Sequence, residues 1–225
     1  MISFVVPAFN EGRNVSHVIR DIAATFAAVP GKRIVVVDDG SSDDTAGVVS
    51  ALRGEFPFLE LVQHPRNLGL GAALKTGYST CADGTVAAWL PADGQFEAKW
   101  ILSFFRTWER TRAPIVVGNV TASHRRASDG WFRLALSKAL RVIFFLRKKR
   151  TINFNGLMLF EVGKAPLEKF HSTTGVINFE ILEHFEGTGA RIAYEDISLR
   201  PRLSGESKVT NVRTYLAVLR DTLRR

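Results

Sequence analysis

Five acid or amide side chains and a few cations carry most of the chemistry this sequence offers. Asp38 and Asp39 are adjacent, Glu11 lies upstream of them, and Asp93 is followed two residues later by Gln95. Carboxylate and carboxamide oxygens are ligands for a hard divalent cation, and phosphate oxygens complete such a shell. Held against a diphosphate, Mg2+ or Mn2+ neutralises the charge that grows on it as a leaving group. Asp39 has an alternative use, as a fixed ionised acceptor for a nucleobase. The cations are Lys75, in a glycine-rich stretch, and Arg202 and Lys208, which bracket Leu-Ser-Gly-Glu-Ser. A Gly/Ser loop of that composition aims cations, backbone N–H groups and a hydroxyl such as that of Ser207 at one anion.

The elements that must position these groups are readable from patterning. Ile34–Val37 is apolar without alternation, as in a strand buried on both faces, and Asp38 and Asp39 stop it. The pair therefore sits at the carboxyl end of a buried parallel strand, where open α/β sheets bind ligands. Two solvated loop acids are the bland alternative. A helix over Thr45–Leu52 follows, with Asp43 or Asp44 as its cap. Upstream, Ile2–Val6 reads as a strand ended by Pro7, which cannot continue a central ladder. A helix capped by Asn14 comes next, with Val15, Val18, Ile19, Ile22 and Phe26 at helical spacing.

Further strands are expected at Leu59–Gln63, Thr85–Leu90 and Pro114–Gly118, giving an alternating βα sheet. Between the first two, Gly69, Gly71 and Ala72 either bind phosphate or let helix and sheet approach closely. Residues 153–160 read as a turn and strand, and Gly175–Gly187 as a helix carrying Glu180. Arg191–Ala193 and Ile197–Leu199 supply later strand material. Trp131–Leu146 and Val209–Arg225 read as amphipathic helices with basic edges.

Composition narrows the class. The 225 residues suffice for one α/β domain over 1–225, with residues 1–118 and 119–225 as its two halves. A single Cys81 excludes an intrachain disulfide and fits a reducing cytoplasm. Met1 runs almost directly into a strand pattern, leaving no room for a signal peptide, and no apolar run approaches the ~20 residues of a membrane span. The net charge of +8 is uneven: residues 121–150 carry nine basic residues against Asp129, whereas residues 1–100 sum to −3. Such patches attract phosphate-rich partners. Nucleic acid has little support, because the cations are not interleaved with an aromatic stacking platform.

Taken together, Val5-Val-Pro-Ala-Phe-Asn-Glu11, Val35-Val-Val-Asp-Asp-Gly-Ser-Ser-Asp-Asp-Thr45, Asn67-Leu-Gly-Leu-Gly-Ala72 and Ala92-Asp-Gly-Gln95 resemble the successive motifs of family 2 glycosyltransferases. Arg202–Lys208 resembles the late loop of the dolichyl- and polyprenyl-phosphate sugar synthases. The resemblance implies a GT-A fold, a mostly parallel open sheet with helices on both faces. It implies inverting transfer from a nucleoside-diphosphate sugar to a polyprenyl phosphate, peripherally at the cytoplasmic membrane face. Pro7, Phe9 and Glu11 match the nucleoside loop, with Phe9 where Tyr is usual, and Asp39 matches the base-binding acid. Asp38 and Lys75 are counted with them as donor-binding. Asp93 and Gln95 match the metal motif, Asp93 and Arg202 are the expected catalytic groups, and Arg202, Ser207 and Lys208 the phosphate-gripping ones.

The sequence departs from that pattern at two places. Pro91 stands where the metal motif has its first Asp, removing one carboxylate from the metal site. Asn119-Val120 and Asn153 stand where many relatives carry a Tyr-Arg or Ser-Arg pair and an Asp. Two readings therefore compete with the first. One is transfer to a hydroxyl, which needs a base such as Glu180; the other is a non-catalytic nucleotide-sugar binder.

Overall fold

The computed structural model describes residues 1–120, 154–198, 200, 217–218 and 220–221. Seven strands form one sheet: β1 (Ile2–Ala8), β2 (Lys32–Asp38), β3 (Leu59–Gln63), β4 (Val86–Trp89), β5 (Ile115–Val120), β6 (Phe154–Glu161) and β7 (Ile192–Ile197). Their order is β3-β2-β1-β4-β6-β5-β7. Among the described strands only β6 runs against its neighbours β4 and β5; the other pairings are parallel. The carboxyl ends of β1, β2 and β4 consequently open on one edge.

Among the described residues, five α-helices of eight or more residues cover the two faces. They are α1 (Val15–Thr25), α2 (Thr45–Leu52), α3 (Leu70–Ser79), α4 (Ala98–Thr111) and α5 (Ile177–Gly187). Alternate strand residues sort between them. Phe4, Val6, Ile34 and Val36 pack with α1, α2 and α4, while Val5, Val35 and Val37 pack with α3 and α5. All of these strand residues are fully buried. At about 1.5–3 kcal/mol for each large aliphatic or aromatic side chain, this two-sided burial is the main force holding the sheet.

Several expectations need correction. Pro7 does not end β1, which pairs with β2 through Ala8. The Val5 and Pro7 carbonyls face β4, accepting from Leu90 and Ala92, whereas the last β1–β4 pair is Val5 with Trp89. The N–H that proline lacks thus falls where β4 has already ended, and nothing is lost. Asn14 and Asp44 occupy the N-cap positions without side-chain caps. Asn14 instead donates to Glu11 Oε2 at 2.7 Å, and Asp43 Oδ1 accepts from the Thr45 amide at 3.1 Å. The two segments proposed at 191–199 are one strand, β7. Helix α4 was not anticipated, although Ile101, Phe104 and Phe105 mark its buried face. Helices expected over Trp131–Leu146 and Val209–Arg225 lie wholly or mostly outside the described residues.

The glycines of α3 divide in role. Gly77 is the residue that lets helix meet sheet: a Cβ there would lie 2.3 Å from Val5 Cγ1. Since Val5 is completely buried and cannot withdraw, Gly77→Ala should destabilise the fold by roughly 1–3 kcal/mol despite better helix propensity. The control is Gly54→Ala, where nothing lies within 4 Å of the added methyl. Urea unfolding of both variants checks this; equal stability would place the tight contact elsewhere.

Candidate active site

Three loops meet at the carboxyl edge of the sheet. After β1, Asn10 adopts a left-handed conformation (φ 53°), and its Oδ1 accepts from the Ser42 amide at 2.7 Å. Its own amide donates to Ser41 Oγ at 2.8 Å, and the Glu11 amide donates to Thr45 Oγ1 at 2.9 Å. The β1 loop, with Phe9 and Glu11, is thereby laced to the β2 loop, with Asp38 and Asp39. Pro7, at the end of β1, opens this region.

Asp38 is 3 % exposed and turns inward: Oδ1 accepts from the Ser41 amide at 3.0 Å, three residues on, holding the turn that follows β2. Asp39, 4 % exposed, is gripped more completely. Its Oδ1 accepts from the Leu68 amide at 2.8 Å and Oδ2 from the Gly69 amide at 2.8 Å. His64 Nδ1 lies 2.7 Å from Oδ1, and His64 Nε2 lies 3.0 Å from Thr76 Oγ1. Because a carboxylate only accepts, the proton of that first contact belongs to Nδ1. The ring thus fixes Asp39 from β3 and α3 together. Nothing in the sequence singled out His64; its only signal is its place directly after β3.

The glycine-rich turn that supplies those amides is forced. Gly69 has φ 98° and ψ 159°, a region essentially closed to other residues. A Cβ on Gly69 would lie 2.5 Å from the Thr173 carbonyl oxygen, and one on Gly71 2.3 Å from that of Ser172. The Gly71 amide donates to Thr173 O at 2.9 Å. So Gly69 and Gly71 make room for the loop before α5 rather than for the sheet. Lys75 points to the same region, donating to the Phe170 carbonyl at 2.9 Å.

After β4, Asp93 is 5 % exposed and its Oδ1 accepts from the Gln95 amide at 3.0 Å, with Gly94 at φ 70° between them. This loop is braced by a contact the sequence did not suggest. The Arg200 amide donates to the Gln95 carbonyl at 2.9 Å, and its guanidinium pairs with the nearly buried Glu97. Arg202, Ser207 and Lys208 lie outside the described residues. Glu180, the base candidate for a hydroxyl acceptor, accepts from Ser172 Oγ at 2.9 Å and the Ser172 amide at 3.2 Å, bracing the loop before α5. On the far strands, Asn119 Nδ2 donates to Asp196 Oδ1 at 3.0 Å.

Among the described residues no group of three or more His, Cys, Asp or Glu side chains converges as a metal site. The Asp93–Gln95 loop offers one carboxylate and one carboxamide oxygen, a hard but sparse donor set. It fits Mg2+ or Mn2+ only when diphosphate oxygens fill most of the shell. No helix among the described residues is long and apolar enough to cross a membrane.

Comparison with known proteins shows where the fold and the family recur. In solved structures the fold recurs over the whole chain in mannosyl-3-phosphoglycerate synthase from Rubrobacter xylanophilus, with a TM-score of 0.72, 22% identity and 73% of that chain covered. It recurs in glucosyl-3-phosphoglycerate synthase from Mycobacterium tuberculosis, crystallised with Mn2+ and UDP, with a TM-score of 0.68, 20% identity and 79% of that chain covered. By sequence, the chain is 34% identical over 119 residues to a dodecaprenyl-phosphate galacturonate synthase of Rhizobium johnstonii, covering 52% of this chain and 35% of that protein. It is 31% identical over 158 residues to a dolichyl-phosphate beta-glucosyltransferase of Trichomonas vaginalis, covering 64% of this chain and 47% of that protein. The chain thus spans less than half the length of either relative. Residues 3–168 match the family described as glycosyl transferase family 2, and the chain belongs to that family of glycosyltransferases.

Proposed function

We propose that this chain transfers a sugar, with inversion, from a nucleoside-diphosphate sugar to a polyprenyl phosphate. The observation that carries the donor half is the pinned Asp39 carboxylate at the end of β2, on the same sheet edge as Asp93 at the end of β4. Asp39 accepts from the base. Pro7, Phe9, Glu11 and Asp38 form the nucleoside wall, and Asp93 faces the diphosphate. Lys75, tied to Phe170, is counted with the scaffold that holds the turn. Asp93 and Gln95 would hold the divalent cation, which when bound offsets charge on the leaving diphosphate.

The acceptor half rests on chemistry and on the relatives' names, several of which are dolichyl-, dodecaprenyl- or undecaprenyl-phosphate transferases. A phosphate oxygen is already anionic at neutral pH and attacks the anomeric carbon without a general base. The bond from that carbon to the diphosphate breaks, and the nucleoside diphosphate leaves with the electron pair. Glu180 accepts from the Ser172 amide and hydroxyl and braces the loop before α5, a structural role that favours this acceptor over a hydroxyl. Arg202, Ser207 and Lys208 are assigned to the acceptor or donor phosphates by their resemblance to the family's late loop. Arg202 offsets charge there during transfer.

The test is transfer of radiolabelled sugar from a panel of nucleoside-diphosphate sugars to polyprenyl phosphate or to the corresponding alcohol, with Mn2+. Product on the phosphate alone is expected, and product on the alcohol alone would overturn the acceptor assignment. In calorimetry, Asp39→Ala should weaken nucleoside-diphosphate binding by roughly 1–3 kcal/mol, as a polar partner is stranded. Unchanged affinity would remove Asp39 from the site.

Pro91 stands in the loop where a second carboxylate would join Asp93. Pro91→Asp is therefore expected to tighten Mn2+ binding by the nucleotide-bound protein, measured by titration. If metal affinity does not move, position 91 is not a ligand position.

The membrane reading rests on charge: nine cations against one acid over residues 121–150. At about 1 kcal/mol for each Lys or Arg near an anionic surface, Arg147, Lys148, Lys149 and Arg150 should dominate attachment to the inner leaflet. Changing all four to Gln should sharply reduce co-sedimentation with anionic vesicles. Equal binding to neutral vesicles would indicate apolar insertion instead.

A further inference from the structure

The loop before α5 has a second anchor that the transfer reaction does not itself require. Asp221 lies near the carboxyl terminus yet is only 5 % exposed. Its Oδ2 accepts from the Thr173 amide at 2.9 Å, from Thr174 Oγ1 at 3.1 Å and from Thr173 Oγ1 at 3.4 Å. Arg220 beside it donates to Thr173 Oγ1 at 3.3 Å and lies 3.3 Å from Asp221 Oδ1. A carboxylate this buried is retained only where such donors replace water. Among the described residues, all of its donors except Arg220 belong to two consecutive threonines.

Those threonines are the residues against which the glycine turn is folded. Thr173 O accepts the Gly71 amide, and it lies where any side chain on Gly69 would have to go. The Gly69 and Leu68 amides in turn hold the two oxygens of Asp39. The contacts therefore run without a gap from Asp221 through Thr173 and Gly69 to Asp39. Close packing leaves the turn no room to move independently of residues 172–174.

We infer that Asp221 is a positioning residue for the donor site, setting the glycine turn and through it the Asp39 carboxylate. This rests on the reading of Asp39 as a nucleotide contact. It makes the carboxyl-terminal segment part of the donor site's support, although 182 residues separate Asp221 from Asp39 in the sequence.

The test measures amide hydrogen exchange and UDP binding on the full chain carrying Asp221→Asn. Exchange at Leu68, Gly69 and Gly71 should accelerate at least roughly tenfold, while β1 and β2 amides keep their protection. UDP affinity should fall roughly five- to twentyfold. Thr174→Val, which removes one of the donors to Asp221 and with it the acceptor of the Val176 amide, should shift both readouts the same way by less and guards against a variant that fails to fold. Faster exchange at Thr173 with Gly69 and Gly71 unmoved would overturn the inference, as would faster exchange at the turn with unchanged UDP affinity. If the unsubstituted protein binds no nucleoside diphosphate, the donor-site reading fails, and exchange at the turn alone decides whether Asp221 positions it.

Discussion

The Asp39 carboxylate, held by the amides of Leu68 and Gly69 and by His64, is the interaction on which the candidate site depends. It joins β2, the residue after β3 and the turn into α3 at one point. A buried ionised group is tolerable only with its hydrogen bonds made, and charge-assisted bonds to backbone amides are among the stronger ones. Much of the local architecture satisfies that requirement. Gly69 takes a conformation only glycine can hold, so that its N–H faces Oδ2. Thr76, nearly two turns into α3, steadies the far nitrogen of His64.

The rest of the molecule supplies rigidity around that point. Burial of alternate strand residues against helices on both faces makes the sheet a fixed platform. Its parallel strands deliver Asp38, Asp39 and Asp93 to one edge, where each acid is nearly buried; Asp38 and Asp93 turn into their own loops, and Asp39 into the glycine turn after β3. Cross-bonds between the β1 and β2 loops, through Asn10 with Ser41 and Ser42, fix the loops in place. Preorganisation of this kind matters for a transfer reaction. Dipoles and charges already in place cost no reorganisation when the leaving group develops charge.

Much of this was legible in the sequence, because unbroken apolar runs such as Ile34–Val37 report burial on two faces and the acids that stop them report strand ends. The span of helix α2 followed from its pattern without adjustment. What was not legible depends on distant contacts. Pro7 could remain in β1 only because β4 stops short, which no local rule for proline contains. Gly69 and Gly71 read as phosphate binders or as helix–sheet spacers; their reason is the backbone of residues 172–174, a hundred residues away. His64, Arg200 and Asp221 gave no periodic or motif signal, since each matters through a single tertiary partner. Helix α4 is a different case, since its apolar stripe, Ile101, Phe104 and Phe105, is present in the sequence itself.

A crystal structure of the chain with UDP and Mn2+ would test the central claim most directly. The expected result has the base edge within hydrogen-bonding distance of Asp39, Phe9 against the nucleoside, and the diphosphate over the Asp93–Gln95 loop with the metal between them. A nucleotide bound at any other edge of the sheet, or one that leaves Asp39 shielded and untouched, would contradict it.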